Sequence, residues 1–254
     1  MRTTAISAKD KQYPGPEDLD VVILCGGFGK RLQSVLNGVP KSMAPINGKP
    51  FLEFLVESLA EKGFQRFILC TGFMGNVIQD YFEDNASRLE LVFSQENRSL
   101  GTAGAIKNAE RLIETNPFVV VNGDSFCNCD FPEFIKFHRD RGAIITLAVC
   151  CTDGRTDSGA VWVGQDGRVT DFSEKVGHTG DSFVNAGFYL LDRLMLAFIP
   201  EGITYSLELQ VLHEMKGLPV YGFPTGGRVV DIGTPERYAE AQHILANFMR
   251  GRES

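Results

Sequence analysis

Leu19-Asp20-Val21-Val22-Ile23-Leu24-Cys25-Gly26-Gly27-Phe28-Gly29-Lys30-Arg31-Leu32 reads as a strand that breaks abruptly into a glycine-rich loop. Its first seven residues are mostly apolar and β-branched, as a buried strand requires. Gly26 and Gly27 then end the run. Glycines let backbone N–H groups approach an anion closely, and successive N–H groups form a nest for phosphate. Two familiar phosphate loops do not fit. The dinucleotide fingerprint needs a third glycine where this chain has Leu32, and the P-loop needs four residues between its glycines and then Lys-Ser/Thr. The missing third glycine also disfavours a nicotinamide-dependent dehydrogenase.

Downstream of the loop, strand-like and helix-like segments alternate. Phe51, Phe54, Leu55, Ser58 and Leu59 recur at helical spacing. Arg66 to Thr71 and Leu89 to Ser94 read as strands, with a helix from Met74 to Phe82 between them. Ala105, Ile106, Ala109, Leu112 and Ile113 form another helical stripe, for which Thr102 is a plausible N-cap. Pro117 to Val121 runs as a strand into Asn122-Gly123-Asp124. This rhythm predicts an α/β fold with a largely parallel sheet covered by helices. From Ala143 to Leu191 the strands are joined by short turns, which predicts a more antiparallel region. Thr234-Pro235-Glu236 opens a last helix with an N-cap, a proline and an acid. Residues 1–18 are polar and read as an extension, leaving 19–254 as one domain.

Composition narrows the partners. The net charge of −7 and the absence of a basic run argue against nucleic acid. A few local cations and a metal would still suit a small anionic substrate. The six cysteines show no C-x-x-C pair, so zinc is not expected, and thiols in apolar runs suit a reducing cytosol. No secretory segment and no apolar stretch of spanning length is visible, so the expectation is a cytoplasmic protein without a membrane partner. The oligomeric state, a homo-oligomer included, is left open. The four histidines are scattered and suggest no Ser-His-Asp logic.

Arg31 and Lys41, with Lys30 beside them, follow the glycine nest within fifteen residues. Arg offers a planar fork and Lys a point charge to a polyphosphate. Asp124 follows an apolar strand, where ligands bind in open α/β sheets. Asp231 follows Val229-Val230 and precedes a helix start. Two carboxylates at strand ends can hold Mg²⁺, which prefers hard oxygen ligands.

Gly26-Gly27-Phe28-Gly29-Lys30-Arg31-Leu32, followed by Pro40-Lys41-Ser42-Met43-Ala44-Pro45-Ile46-Asn47-Gly48-Lys49-Pro50, resembles the signature of the sugar-1-phosphate nucleotidyltransferase family. Lys30 and Ser42 depart from that signature, which usually has Thr and Pro there. Leu100-Gly101-Thr102-Ala103-Gly104, Asn122-Gly123-Asp124, Phe172-Ser173-Glu174-Lys175, Asn185-Ala186-Gly187 and Asp231-Ile232-Gly233-Thr234-Pro235 continue the resemblance in the family's order. It implies a Rossmann-like, doubly wound sheet of the nucleotide-diphospho-sugar transferase type. It implies nucleotide contacts by Leu24, Gly26, Gly27, Gly29, Lys30, Gln95, Gly101, Thr102, Asn122 and Gly123. Sugar-phosphate contacts fall to Gly159, Glu174, Lys175, Asn185 and Gly187. Catalysis falls to Arg31, Lys41 and Asp124, and Mg²⁺ to Asp124 and Asp231. Within the family the resemblance is greatest to the branch that acts on D-glycero-D-manno-heptose 1-phosphate, implying GTP as donor and GDP-heptose as product for surface polysaccharide. Enzymes for mannose 1-phosphate, or thymidylyl- and uridylyltransferases for glucose 1-phosphate, are the rivals. A non-catalytic sensor of the same fold is the remoter one, and the presence of both aspartates argues against it.

Overall fold

The computed structural model describes residues 14–36, 38–85, 89–152, 159–173, 182–215 and 217–250, with residues 249 and 250 described by their backbone alone. In chain order the strands are β1 (Asp20–Leu24), β2 (Pro45–Ile46), β3 (Lys49–Pro50), β4 (Arg66–Thr71), β5 (Glu90–Gln95), β6 (Phe118–Asn122), β7 (Ser125–Phe126), β8 (Ile145–Cys151), β9 (Ala160–Val163), β10 (Val169–Ser173), β11 (Phe183–Leu191), β12 (Val220–Pro224) and β13 (Val230–Asp231). The α-helices are α1 (Gln33–Leu36), α2 (Phe51–Ala60), α3 (Gly75–Asp84), α4 (Gly101–Asn108), α5 (Phe131–Asp140), α6 (Leu212–Glu214) and α7 (Pro235–Arg250).

Nine strands form one mixed sheet, ordered β12-β8-β11-β6-β1-β4-β5, with β9 and β10 attached at the start of β11. The β6-β1-β4-β5 half is parallel throughout. β11 runs antiparallel to both β6 and β8. The predicted change of character in the second half is therefore real. Helix α5 and strand β12 were not foreseen, although α5 buries Phe131, Phe134, Ile135 and His138 at helical spacing behind an Asp130 cap.

β1 explains why the opening stretch is apolar on both sides. Val21 and Ile23 join a core with α2, α5 and α7, while Val22 joins a second core with α4 on the opposite face. All three are fully buried. Phe51 and Phe54 of α2 are buried as well, each worth about 2 kcal/mol in burial alone. At the far end of β1 the Asp20 carboxylate is buried. It accepts from Arg66 Nη1 (2.8 Å) and from the backbone N–H groups of Glu114 and Thr115. Such pairing is what a buried charge requires.

Two local readings change and one holds. The turn Pro16–Asp18 is folded, with Pro16 buried, so the described part of the polar leader joins the body. Thr102 lies inside α4 rather than capping it, and its hydroxyl donates to the buried Glu208 carboxylate at 2.6 Å. Thr234 does cap α7, accepting from Arg237 N–H at 3.3 Å. Among the described residues no helix is long and apolar enough to cross a membrane.

The connection order creates the site. The chain steps outward from β1 to β4 and β5, then returns to β6 on the other side of β1. The carboxyl ends of β1 and β6 thus flank a topological switch point, where open α/β sheets bind ligands.

A pH effect on stability arises away from that crevice. His138 of α5 is buried, with Nδ1 2.8 Å from Thr146 Oγ1. Burial pushes its imidazole down to about 4. The unfolded chain takes up that proton near its ordinary value of about 6.5, so it binds more protons than the fold between the two values. The stabilisation is complete above about pH 6.5 and is lost as pH falls toward 4, amounting to about 3 kcal/mol over the window. Urea unfolding at neutral and acid pH should show a flatter dependence for His138→Gln than for the native chain. Equal slopes would count against it.

Candidate functional site

The ladder holds β1 and β6 in parallel register, with Leu24 opposite Asn122. Gly123 N–H continues it to the Leu24 carbonyl at 2.9 Å. A Cβ on Gly123 would lie 2.8 Å from that carbonyl, so only glycine lets the two strand ends stay this close. Gly29 has φ +62, in the left-handed region that favours glycine, and a Cβ there would meet Lys41 Cβ at 2.6 Å. The loop is thereby folded down onto Lys41. Ser42, at a position where the resemblance fails, is buried with its hydroxyl 3.5 Å from the Cys25 carbonyl.

Two cavities open at the switch point. One, of about 250 Å³, is lined by Leu24, Gly26, Gly27, Gly101 and Gly123 with Glu96 and Ser99. The other, of about 290 Å³, is lined by Arg31, Gly159, Phe172, Asn185 and Asp231. Lys41, Thr102, Asn122 and Asp124 line both. The cavities meet at a Lys41–Asp124 ion pair. Burial acts to raise the Asp124 carboxyl, but the Lys41 ammonium and the Ser125 hydroxyl outweigh it and hold the group below its ordinary value.

Asp231 stands beside Asp124 because β13 pairs with β7, placing Asp231 opposite Ser125, and Ile232 N–H donates to the Asp124 carbonyl at 3.0 Å. Arg237 Nη1 lies 3.1 Å from both Asp231 oxygens, and Gly233 N–H donates to one of them at 2.8 Å. The donor set suits a magnesium ion. Mg²⁺ binds through one or two carboxylates and completes its shell with phosphate and water. No group of three or more His, Cys, Asp or Glu side chains able to hold a metal occurs among the described residues, so such an ion would depend on substrate oxygens.

Most expected contacts assemble here, and some do not. Gln95, the expected base contact, is exposed and lines neither cavity. Its neighbour Glu96 faces the first cavity instead, with Oε2 accepting from Leu100 N–H at 2.7 Å. Burial raises the Glu96 carboxyl, and the Leu100 N–H opposes it. Lys30 is exposed and lines neither cavity. Gly187 touches the site indirectly: its φ is +74, and a Cβ would lie 2.9 Å from Asn122 Nδ2. Glu174 and Lys175 lie outside the described residues. Unforeseen contributors are Glu96, Glu208, Arg228 and Arg237. Only the spacing of Arg237 from the helix start offered any signal.

The chemistry available is electrostatic. Cys25 and Cys70 line the first cavity, but burial pushes the Cys25 thiol up to about 12 and Cys70 well above its ordinary value. Neither can serve as a thiolate nucleophile near neutral pH. Cations and paired carboxylates at the junction suit the transfer of a charged group between two ligands.

A glycine nest at a switch point, two adjoining cavities and a charged junction define a nucleotide-dependent group-transfer enzyme of the α/β class. The chain belongs to the nucleotidyl transferase family, whose model matches residues 20–247. It is 33% identical over 232 residues to a D-glycero-alpha-D-manno-heptose 1-phosphate guanylyltransferase from Aneurinibacillus thermoaerophilus, spanning 91% of this chain and all of the relative. A mannose-1-phosphate guanylyltransferase from Mycobacterium tuberculosis is 31% identical, covering 92% of this chain and 65% of that protein. Among solved structures, HddC from Yersinia pseudotuberculosis complexed with GMP-PN is 37% identical with a TM-score of 0.80, covering 89% of this chain and 99% of that one.

Proposed function

We propose that this enzyme transfers GMP from GTP to D-glycero-D-manno-heptose 1-phosphate, releasing pyrophosphate and forming GDP-heptose, with Mg²⁺ at Asp124 and Asp231. The observation that carries this reading is the pair of cavities meeting at Lys41 and Asp124. The smaller cavity, with its glycine loop, takes the nucleotide. The larger takes the sugar phosphate, which brings its oxygen to the α-phosphorus at the junction.

The sugar phosphate is already largely dianionic near neutral pH, since a phosphate monoester's second pKa is about 6. No general base is needed. Lys41 and Arg31 offset charge on the triphosphate, and alignment of the two substrates supplies the rest. Bound Mg²⁺ would add Lewis-acid stabilisation of phosphate charge, and Arg237 would keep the Asp231 carboxylate oriented. Release of pyrophosphate from a matrix of nucleoside triphosphates and sugar 1-phosphates tests the reading. No turnover with GTP and the heptose phosphate would refute it, and faster turnover with mannose 1-phosphate would move the acceptor.

Glu96 carries the proposed base choice. Guanine presents N1–H and N2–H₂ as adjacent donors on one edge, which suits an acceptor-only carboxylate. Glu96→Gln is expected to cut the preference in kcat/KM for GTP over UTP by about tenfold, one charge-assisted hydrogen bond's worth. An unchanged preference would remove Glu96 from base reading.

A further inference from the structure

One wall of the nucleotide cavity is held by a segment 105 residues further along the chain. Ser99, Gly101 and Thr102 line that cavity. Thr204 Oγ1 donates to the Ser99 carbonyl at 2.8 Å, Tyr205 N–H to the Leu100 carbonyl at 2.8 Å, and Gly104 N–H to the Tyr205 carbonyl at 3.0 Å. A Cβ on Gly101 would lie 2.7 Å from the Tyr205 carbonyl oxygen, and one on Gly104 would lie 2.8 Å from that of Ile203. Both glycines are required by this clasp, whatever ligand the loop meets.

The clasp ends on a buried carboxylate with no role in the steps above. Glu208 sits in the π-helical turn Leu207–Val211. Its Oε2 accepts from Thr102 Oγ1 at 2.6 Å and Ser206 Oγ at 3.1 Å, and its Oε1 accepts from the Tyr189 hydroxyl at 3.0 Å. Thr102 Oγ1 in turn accepts Leu207 N–H at 2.8 Å. Tyr189 gives its single proton to Glu208 and accepts from Asn185 Nδ2 at 2.7 Å. Gly187 N–H holds the Asn185 Oδ1 at 3.1 Å, so this amide cannot turn over. Asn185 and Glu208 line the second cavity and not the first. One carboxylate therefore anchors the nucleotide wall through Thr102 and the acceptor wall through Tyr189 and Asn185. Hydrogen bonds to a charged group are strong, and a satisfied buried network rigidifies the elements it joins.

We propose that Glu208 is a positioning residue for both substrates, with one arm through Thr102 that places the nucleotide wall and one through Tyr189 that places the acceptor wall. Transfer between two ligands depends on their mutual alignment, and a single anchor for both walls fixes it. The inference rests on the transferase reading, because it needs a ligand in each cavity. Tyr189 is fully buried and lines neither cavity, so its effect on a ligand runs through Asn185.

Pyrophosphate release, with each substrate varied in turn, gives the KM for GTP and for the heptose 1-phosphate. Each arm can be cut separately. Tyr189→Phe is expected to raise the KM for the sugar phosphate about tenfold and leave that for GTP within about twofold. Thr102→Val should do the reverse. Glu208→Met fills the volume but leaves both arms without their carboxylate, and should raise both KM values about tenfold. Combined with Glu208→Met, Thr102→Val should raise the GTP value no further than either change alone, because both cut the same arm. Thermal melting reports whether each variant folds, and if Glu208→Met does not, Tyr189→Phe decides. A merely structural role predicts a lower melting temperature and a smaller active fraction with both KM values unchanged, and that result would overturn the proposal. So would a Tyr189→Phe enzyme in which both KM values rise alike, or additive effects in the double variant. Failure of the native enzyme to turn over would instead strike the transferase reading.

Discussion

Asp124→Asn is expected to lower kcat by about 10³-fold while leaving the fold in place. The substitution keeps the shape of the side chain but removes the charge at the junction of the two cavities. In the native enzyme the carboxylate is paired with Lys41 and held ionised below its ordinary range. On the proposed reading it is also one of two Mg²⁺ ligands, so the change removes half of the protein's share in a hard-oxygen site. Loss of one group that stabilises charge in the transition state typically costs 10²- to 10³-fold, about 3 to 4 kcal/mol, and the metal contribution places this variant at the upper end. Pyrophosphate release gives the rate, and a melting temperature within about 5 °C of the native value shows the fold is intact. Turnover within tenfold of native would exclude Asp124 from the reaction.

Lys41→Met should cost about 10²- to 10³-fold in turnover by a different route. Lys41 is the cation common to both cavities, only 14% exposed, with Gly29 folded against its stem. Methionine fills the stem's volume without the ammonium, so the loop can keep its packing while the phosphates lose a positive partner. A second consequence follows for Asp124. Burial, which raises its carboxyl, is then no longer opposed by the ammonium. Protonation moves to higher pH, and the acid limb of the rate profile should shift upward with it. Lys41→Arg, which restores the charge with different geometry, should recover part of the rate. A Lys41→Met profile superimposable on the native one would refute both parts.

The features legible in sequence are those with a local cause. The apolar run of β1 is continuous because both sheet faces are buried there, and no later contact is needed to read it. Arg31, Lys41, Asp124 and Asp231 were found because they stand at strand ends or just past a glycine loop. Gln95 and Glu96 show the opposite case. They are adjacent polar residues at the end of β5, and nothing local says which one faces the cavity. The strand's exit toward Leu100, whose N–H takes Glu96, makes that choice. Glu208 was beyond reach for a similar reason. Leu207, Val211, Leu212 and Met215 do follow a helical spacing, but nothing in it shows that Glu208 turns inward to Thr102, 106 residues away.

The sequence by itself determined the parallel α/β half, the antiparallel change in the second half, the glycine nest and the charged residues at the strand ends. Each of these rests on short-range chemistry: period, glycine geometry, or a charge following an apolar run. Only the tertiary structure decided that β6 returns beside β1, that β13 sets Asp231 next to Asp124, and that Glu208 gathers the hydroxyls of Thr102, Tyr189 and Ser206. Those arrangements depend on hydrogen bonds between residues far apart in the chain, whose partners and directions exist only once the sheet has closed around the crevice.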